Sequence, residues 1–131
     1  MARHRTIRRG SRWTRCICPK CHHTGKRKQT LSRRLADASR KGWQTILFEY
    51  AQLKCPNCGT IFMHKKTEEK LKKETVGQSR YTRKVMRLAI QLRNAGKSCT
   101  EIKDELFWTW HVAASHRTVM KWINNPGIYG S

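Results

Sequence analysis

Two short stretches carry the residues best suited to chemistry. Cys18-Pro-Lys-Cys21 and Cys55-Pro-Asn-Cys58 are near copies of each other. A two-residue spacer turns the chain so that two thiolates point at one ion. Proline fixes φ for that turn and offers no competing donor. Gly59, directly after the second copy, suits the positive φ that such a turn needs. Two turns supply four sulfurs, the closed tetrahedral shell of one structural Zn2+. A closed shell has no position for water, so the ion organises structure and does no catalysis.

Other ligands compete for that role. Residues 16–23 read CICPKCHH, with a third cysteine and two histidines beside the first pair. Cys16 stands where Leu53 stands before the second pair, so it is expected to pack as a small hydrophobe. His22 and His23 follow a ligand directly, where geometry toward the same ion is poor. His64 is a further candidate to replace a cysteine. The ligand set is therefore Cys18, Cys21, Cys55 and Cys58, with the three histidines left open as substitutes. The 33 residues between the pairs exceed the usual spacing of about 15–20, and the insert must be held as a loop or short helix. A redox role for either pair is disfavoured by their being matched copies.

Charge indicates the partner. The 131 residues carry 29 Lys+Arg against 8 Asp+Glu, a net +21, and the first acid is Asp37. Such an excess matches a polyanion and says little about fold. Residues 1–15 read as a flexible basic arm, with Arg8, Arg9 and Arg12 as phosphate contacts. Between the cysteine pairs, GKRKQTLSRRLADASRK offers Lys26, Arg27, Lys28, Arg33, Arg34 and Arg40. Arg33, Arg34 and Arg40 are expected along one short helix facing phosphates. Such contacts add affinity without sequence information.

The elements that must position these groups follow from periodicity. WQTILFEYAQLKC and GTIFM are rich in β-branched and aromatic residues and flank the second cysteine pair as strands. Residues 16–66 therefore form a cysteine-bracketed β module. Residues 67–78 form a polar linker, helical through the i,i+4 pairs Glu68–Lys72 and Glu69–Lys73. Residues 79–131 form a helical module. Tyr81, Val85, Leu88, Ala89 and Leu92 make one helix face, closed by Gly96. Ser98 and Glu101 form a capping box for a second helix, with Cys99 turned into the core. Ser115 caps a third, whose stripe is Val119, Trp122 and Ile123, and Asn125-Pro126 stops it. This is a helix-turn-helix layout. Its third helix would lie in a major groove with His116, Arg117 and Lys121 at base edges and Ser115 on a phosphate. Trp108 and Trp110, in FWTWHVAA, are read as extending the core, with a protein-partner surface as the alternative.

Two resemblances follow. Residues 16–64, through the paired CPxC units, resemble a zinc ribbon. GKSCTEI and SHRTVMKWINNPGIYG resemble the DNA-binding segment of large serine recombinases, over the last third of the chain. A zinc ribbon followed by a helix-turn-helix is similar to small accessory and repressor proteins of insertion elements. These resemblances imply binding to the DNA of mobile elements. The chain departs from them in lacking room for a recombinase catalytic domain and in the length of FWTWHVAA.

The expected class is α+β, a small zinc-ribbon module and then a three-helix helix-turn-helix module. The expected function is sequence-preferring binding of double-stranded DNA, as a transcription or recombination regulator of a phage or mobile element. The alternatives are an RNA-binding or ribosome-associated zinc protein and an adaptor docking on RNA polymerase or a similar machine. The chain is not expected to be an enzyme, since converging carboxylates and nucleophile–base pairs are missing from the pattern. No apolar run approaches the roughly 20 residues that span a bilayer. The Arg-rich start lacks the apolar stretch of a secretory signal. An intracellular location, in the cytoplasm or nucleoid, or in the nucleus of a eukaryote, is the expectation.

Overall fold

The computed structural model describes residues 3–130 and is α+β, with one sheet followed by helices. Its strands are β1 (Arg3–Gly10), β2 (Arg15–Ile17), β3 (Thr24–Asp37), β4 (Gly42–Lys54) and β5 (Ile61–Phe62). Strands β3 and β4 form a long antiparallel hairpin, paired from Lys26↔Lys54 to Asp37↔Gln44 with a bulge at Lys28. The sheet order is β1-β4-β3-β2, with β5 also on β4.

Two expectations change here. Residues 3–10 of the supposed arm are not a loose tail. They run parallel to β4, from Arg3↔Gly42 to Gly10↔Glu49. That pairing satisfies the otherwise open edge of β4 and sets Ile7 beside Ile46. Residues 1 and 2 of the arm lie outside the described residues, and Arg15 opens β2. The Arg-rich insert is strand, not helix. Leu31, Arg33 and Leu35 are shielded while Ser32 and Arg34 are exposed, a period of two. Arg40 lies beyond β3, in the hairpin turn.

The expected linker helix exists as α1 (Lys65–Glu74), but it covers the sheet. Its Leu71 packs with Phe48 and Tyr50, flanked by Leu31 and Met63. Among the described residues the Glu68–Lys72 and Glu69–Lys73 ion pairs do not form. Glu74 instead pairs with Arg9 of β1 at 2.6 Å.

The helices that follow are α2 (Arg83–Asn94), α3 (Cys99–Trp108), α4 (His116–Asn124) and a short α5 (Pro126–Tyr129). Helix α2 ends in a Schellman motif. Gly96, at φ 91°, donates to Arg93 O at 3.0 Å, and Lys97 donates to Leu92 O at 3.1 Å. The capping box at Ser98 and Glu101 opens α3, as expected. Pro126 ends α4 and starts α5 at its first position, which had no signal in the periodicity. Val85, Met86, Ile102, Leu106, Val119 and Trp122 centre one core, and Cys99 joins it. Trp110 packs partly against that core, but Trp108 is 76% exposed. Two residues past Leu106 is about 200° around a helix, which turns Trp108 outward.

The hairpin turn plugs into this core. Ala38 is fully buried in the helical cluster. Asp37 is buried and accepts from Thr82 Oγ1 and Gln44 Nε2, each at 2.7 Å. Ser39 N donates to Trp110 O at 3.0 Å, and Lys84 Nζ donates to Ala38 O at 2.9 Å. The helices from residue 79 onward therefore do not stand apart from the sheet. Among the described residues no helix is long and apolar enough to cross a membrane.

Candidate metal centre and nucleic-acid surface

The two cysteine turns are built alike. In the first, Cys18 N donates to His23 O at 2.8 Å and His22 N to Cys18 O at 3.1 Å. In the second, Cys55 N donates to Thr60 O at 2.9 Å and Gly59 N to Cys55 O at 3.0 Å. Each turn hangs from a strand end, β2 for the first and β4 for the second. Pairing of β2 with β3, and of β3 with β4, carries both turns to the same end of the sheet.

There the four sulfurs meet. Cys18 Sγ lies 3.6 Å from Cys58 Sγ, and Cys21 Sγ 3.2 Å from Cys55 Sγ. All four ligand atoms lie within 4.8 Å of one another, a group able to hold a metal ion. Cys18 and Cys55 are buried, Cys21 is half-buried and Cys58 is exposed. The backbone N–H of His23 and contact with the Cys55 sulfur hold the Cys21 thiol down to about 5. At Cys55 the Cys58 backbone N–H pulls downward, but burial and the Cys21 sulfur outweigh it and push the thiol up to about 11. Crowding thus pulls the Cys21 and Cys55 thiols in opposite directions. A cation among them would favour the thiolate form throughout.

The remaining candidates lie outside the four-sulfur group. His64 Nδ1 accepts from Lys66 N at 3.0 Å and so caps α1, while its ring stacks on Trp13 at 4.6 Å. His22 takes the left-handed φ of 62° that Gly59 takes at 73° in the other turn. His23 Nδ1 lies 3.2 Å from Cys21 O, and its neighbouring Cys21 sulfur raises the imidazole pKa. Cys16 is half-buried in β2, outside the four-sulfur group.

On α4, Val119 and Trp122 are buried, and His116, Arg117 and Lys121 are exposed on a helix with no acid. Ser115 accepts from Thr118 N at 3.2 Å and lies 2.8 Å from Thr118 Oγ1. Its hydroxyl is thereby committed to the cap it was expected to form. Seven residues, 109–115, separate α3 from α4.

The proposed phosphate contacts do not share one surface. The register sets Arg8, Leu47 and Arg34 in one row across the sheet and Arg9, Phe48 and Arg33 in the next. Successive residues of a strand point to opposite faces. The Phe48 face is the one α1 covers, and there Arg9 pairs with Glu74 while Arg33 Nη2 donates to Ser79 O at 2.9 Å. Arg8 and Arg34 are exposed on the other face, Arg8 beside Glu49 at 3.2 Å. Arg12, Lys26, Arg27 and Lys28 are exposed toward the cysteine end. Arg40 lies at the opposite end, over the Trp110 ring at 4.7 Å. No protein-family model, curated protein or solved structure matches the chain.

Proposed function

We propose that the chain is a sequence-preferring double-stranded DNA-binding protein that regulates transcription or recombination of a phage or mobile element. The observation that carries this reading is α4. Its Ser115 cap leaves the first turn well ordered, its Val119–Trp122 stripe is buried, and His116, Arg117 and Lys121 project outward with no acid among them. A helix that enters a major groove by its N-terminal residues needs that division. In this reading Arg117 donates to a guanine edge, and Lys121 to guanine or phosphate. Helices α2, α3 and α4 serve as a helix-turn-helix unit with a lengthened connection.

The cysteine group serves as a zinc-ribbon-like anchor holding one Zn2+. With Zn–S bonds of about 2.3 Å, tetrahedral sulfurs lie about 3.8 Å apart. The sulfur separations of 3.2 and 3.6 Å are near that value. Arg34, Lys26, Arg27 and Lys28 are then the sheet's phosphate contacts, and Arg9 and Arg33 serve the fold.

Selection of bound sequences from a random duplex pool tests this, with metal-loaded protein, near-physiological salt and excess RNA competitor. A single enriched motif that survives the RNA is the expected result. No enrichment, with RNA stripping the DNA away, would replace this reading with RNA binding.

A further inference from the structure

Two cavities open side by side where the β3–β4 turn meets the helices. One, of about 390 Å³, includes Arg3, Arg5, Lys41 and Gly42 in its wall. The other, of about 280 Å³, includes Arg80, Tyr81 and His111. Trp43, His4 and Gln44 line both. Ligand cavities run from about 300 to 1,000 Å³, so one of these lies at the small end of that range and the other just below it.

The lining has a consistent chemistry. Trp43 is half-buried, and neither aromatic neighbour stacks parallel on it. Phe107 meets it at 5.5 Å and 73°, His111 at 5.8 Å and 70°. Phe107 in turn meets Trp108 at 4.8 Å and 84°, and Trp108 is 76% exposed. His111 is fixed by a left-handed φ of 58° and a 2.7 Å bond to Ser39 O. A carbonyl only accepts, so Nδ1 carries the proton and Nε2 is left over. Lys41 and Arg80 are exposed and pair with no acid among the described residues, whereas Arg3 and Arg5 stand in the rows of Gly42 and Gln44, on the sheet face opposite Trp43. Aromatic faces flanked by unpaired cations and a few polar edges are how proteins hold unpaired bases and the strand that carries them.

We propose that the Trp43 cleft binds a single-stranded stretch of nucleic acid, with unpaired bases against the Trp43 ring and their phosphates on Lys41 and Arg80. Trp108 and Phe107 extend the stacking surface. This site is separate from the exposed face of α4 and does not depend on duplex recognition there. Two cations without a counter-charge beside an aromatic face favour a polyanionic strand over an apolar peptide.

The test is fluorescence anisotropy of a labelled oligothymidylate and a labelled oligouridylate with the full, metal-loaded chain, beside a labelled duplex. Stacking on one aromatic ring is lost on its removal at a cost of roughly five- to 150-fold in affinity. Trp43→Leu is expected to weaken single-strand binding within that range and to leave duplex binding within about twofold. Trp43→Phe, which keeps a ring, should recover most of the loss. Trp108→Ala, at an exposed position, should weaken single strands without lowering the melting temperature. The oligothymidylate and oligouridylate arms report whether the strand is DNA or RNA, and binding of either supports the site. The proposal is overturned if Leu and Phe at position 43 behave alike. It is also overturned if the wild type binds neither strand, or if polyglutamate displaces the strand at equal charge concentration. Arg117→Ala, which should affect only the duplex arm, keeps a failure of this site distinct from a failure of α4.

Discussion

His22 and Gly59 hold the same position in two superposable turns, each directly after the second cysteine of its pair. Both have left-handed φ, 62° and 73°, and both donate their backbone N–H to the carbonyl of the first cysteine. Only one of them is the residue type that adopts this conformation freely. Gly59 has open space where a Cβ would go, so its substitution is opposed by backbone conformation and not by packing. Gly59→Ala should destabilise by about 1–2 kcal/mol, the ordinary cost of left-handed backbone. His22→Gly should be neutral or stabilising by up to about 1 kcal/mol, because histidine already tolerates this region better than most residues. Urea unfolding of the metal-loaded protein measures both. A loss of more than 1 kcal/mol in His22→Gly would mean that the imidazole itself serves the cluster.

Removal of the metal should loosen the cysteine end first. The two turns are tied to the sheet by only a three-residue and a two-residue strand besides the hairpin. At free metal about a thousandfold above Kd, occupancy contributes about 4 kcal/mol. A chelator under reducing conditions should therefore lower the melting temperature, while the α2–α4 core keeps its helical signal. Metal analysis should return one ion per chain, falling on Cys58→Ser and unchanged on Cys16→Ser. Loss of the ion in Cys16→Ser with retention in Cys58→Ser would mean a different ligand set.

Asp37 and Glu49 are the two acids between the cysteine pairs, and Asp37 is buried where the sheet meets the helices. Its bonds to Thr82 Oγ1 and Gln44 Nε2 join α2's N-cap residue to β4. Hydrogen bonds to a charged group are worth about 1.5–3 kcal/mol each. Asp37→Ala should cost about 3 kcal/mol and separate the unfolding of sheet and helices into two transitions. In a double-mutant cycle Asp37→Ala and Thr82→Val should couple, since they remove the same bond. Additive effects would show that the junction is held by packing around Ala38 instead.

What was legible in the sequence was what local signals specify. The paired turns follow from spacing, the strand after Gly42 from β-branched and aromatic content, the starts of α3 and α4 from their Ser caps, and α2 from its apolar periodicity. Partner-dependent features were not legible. Residues 3–10 carry no strand signal of their own, because Arg3, Arg5, Arg8 and Arg9 dilute the pattern; only the free edge of β4 makes them a strand. The Leu31–Arg33–Leu35 alternation was present, but its charges suggested a phosphate-facing helix. Residue type favours a core place for Trp108, whereas its angle from Leu106 on α3 decides its exposure. The Trp43 cleft joins residues 4, 43, 80 and 111, a grouping that only the folded hairpin turn creates.

The capping box makes the helical unit acid-sensitive in a defined direction. The Ser98 backbone N–H and hydroxyl, with Lys97 nearby, hold the Glu101 carboxyl below its ordinary 4.5. A depressed carboxylate contributes stability that is complete above its unfolded value and is lost as pH falls through the folded one. The contribution should therefore be full at pH 6 and decline below about 4.5. Glu101→Gln keeps the geometry of the box without a charge and should flatten this limb. Ser98→Ala should cost about 1 kcal/mol at neutral pH. An unchanged acid limb in Glu101→Gln would assign the acid sensitivity to other carboxylates.

Arg33 and Arg34 are neighbours with opposite duties. Arg33 lies on the sheet face that carries Phe48 and donates to Ser79 O, while Arg34 is exposed in the row with Leu47 and Arg8. Each duplex phosphate contact contributes about 0.9 to the slope of log K against log salt. Arg34→Ala should reduce that slope by about one contact and weaken all duplexes alike, with no change in melting temperature. Arg33→Ala should leave the slope unchanged and lower stability by about 1 kcal/mol through the lost bond to Ser79. Arg117→Ala should instead narrow the gap between preferred and random duplex. The three variants thus separate backbone contact, internal support and base reading in one set of salt titrations. Equal slopes for Arg33→Ala and Arg34→Ala would mean that the Arg34 row does not face the duplex.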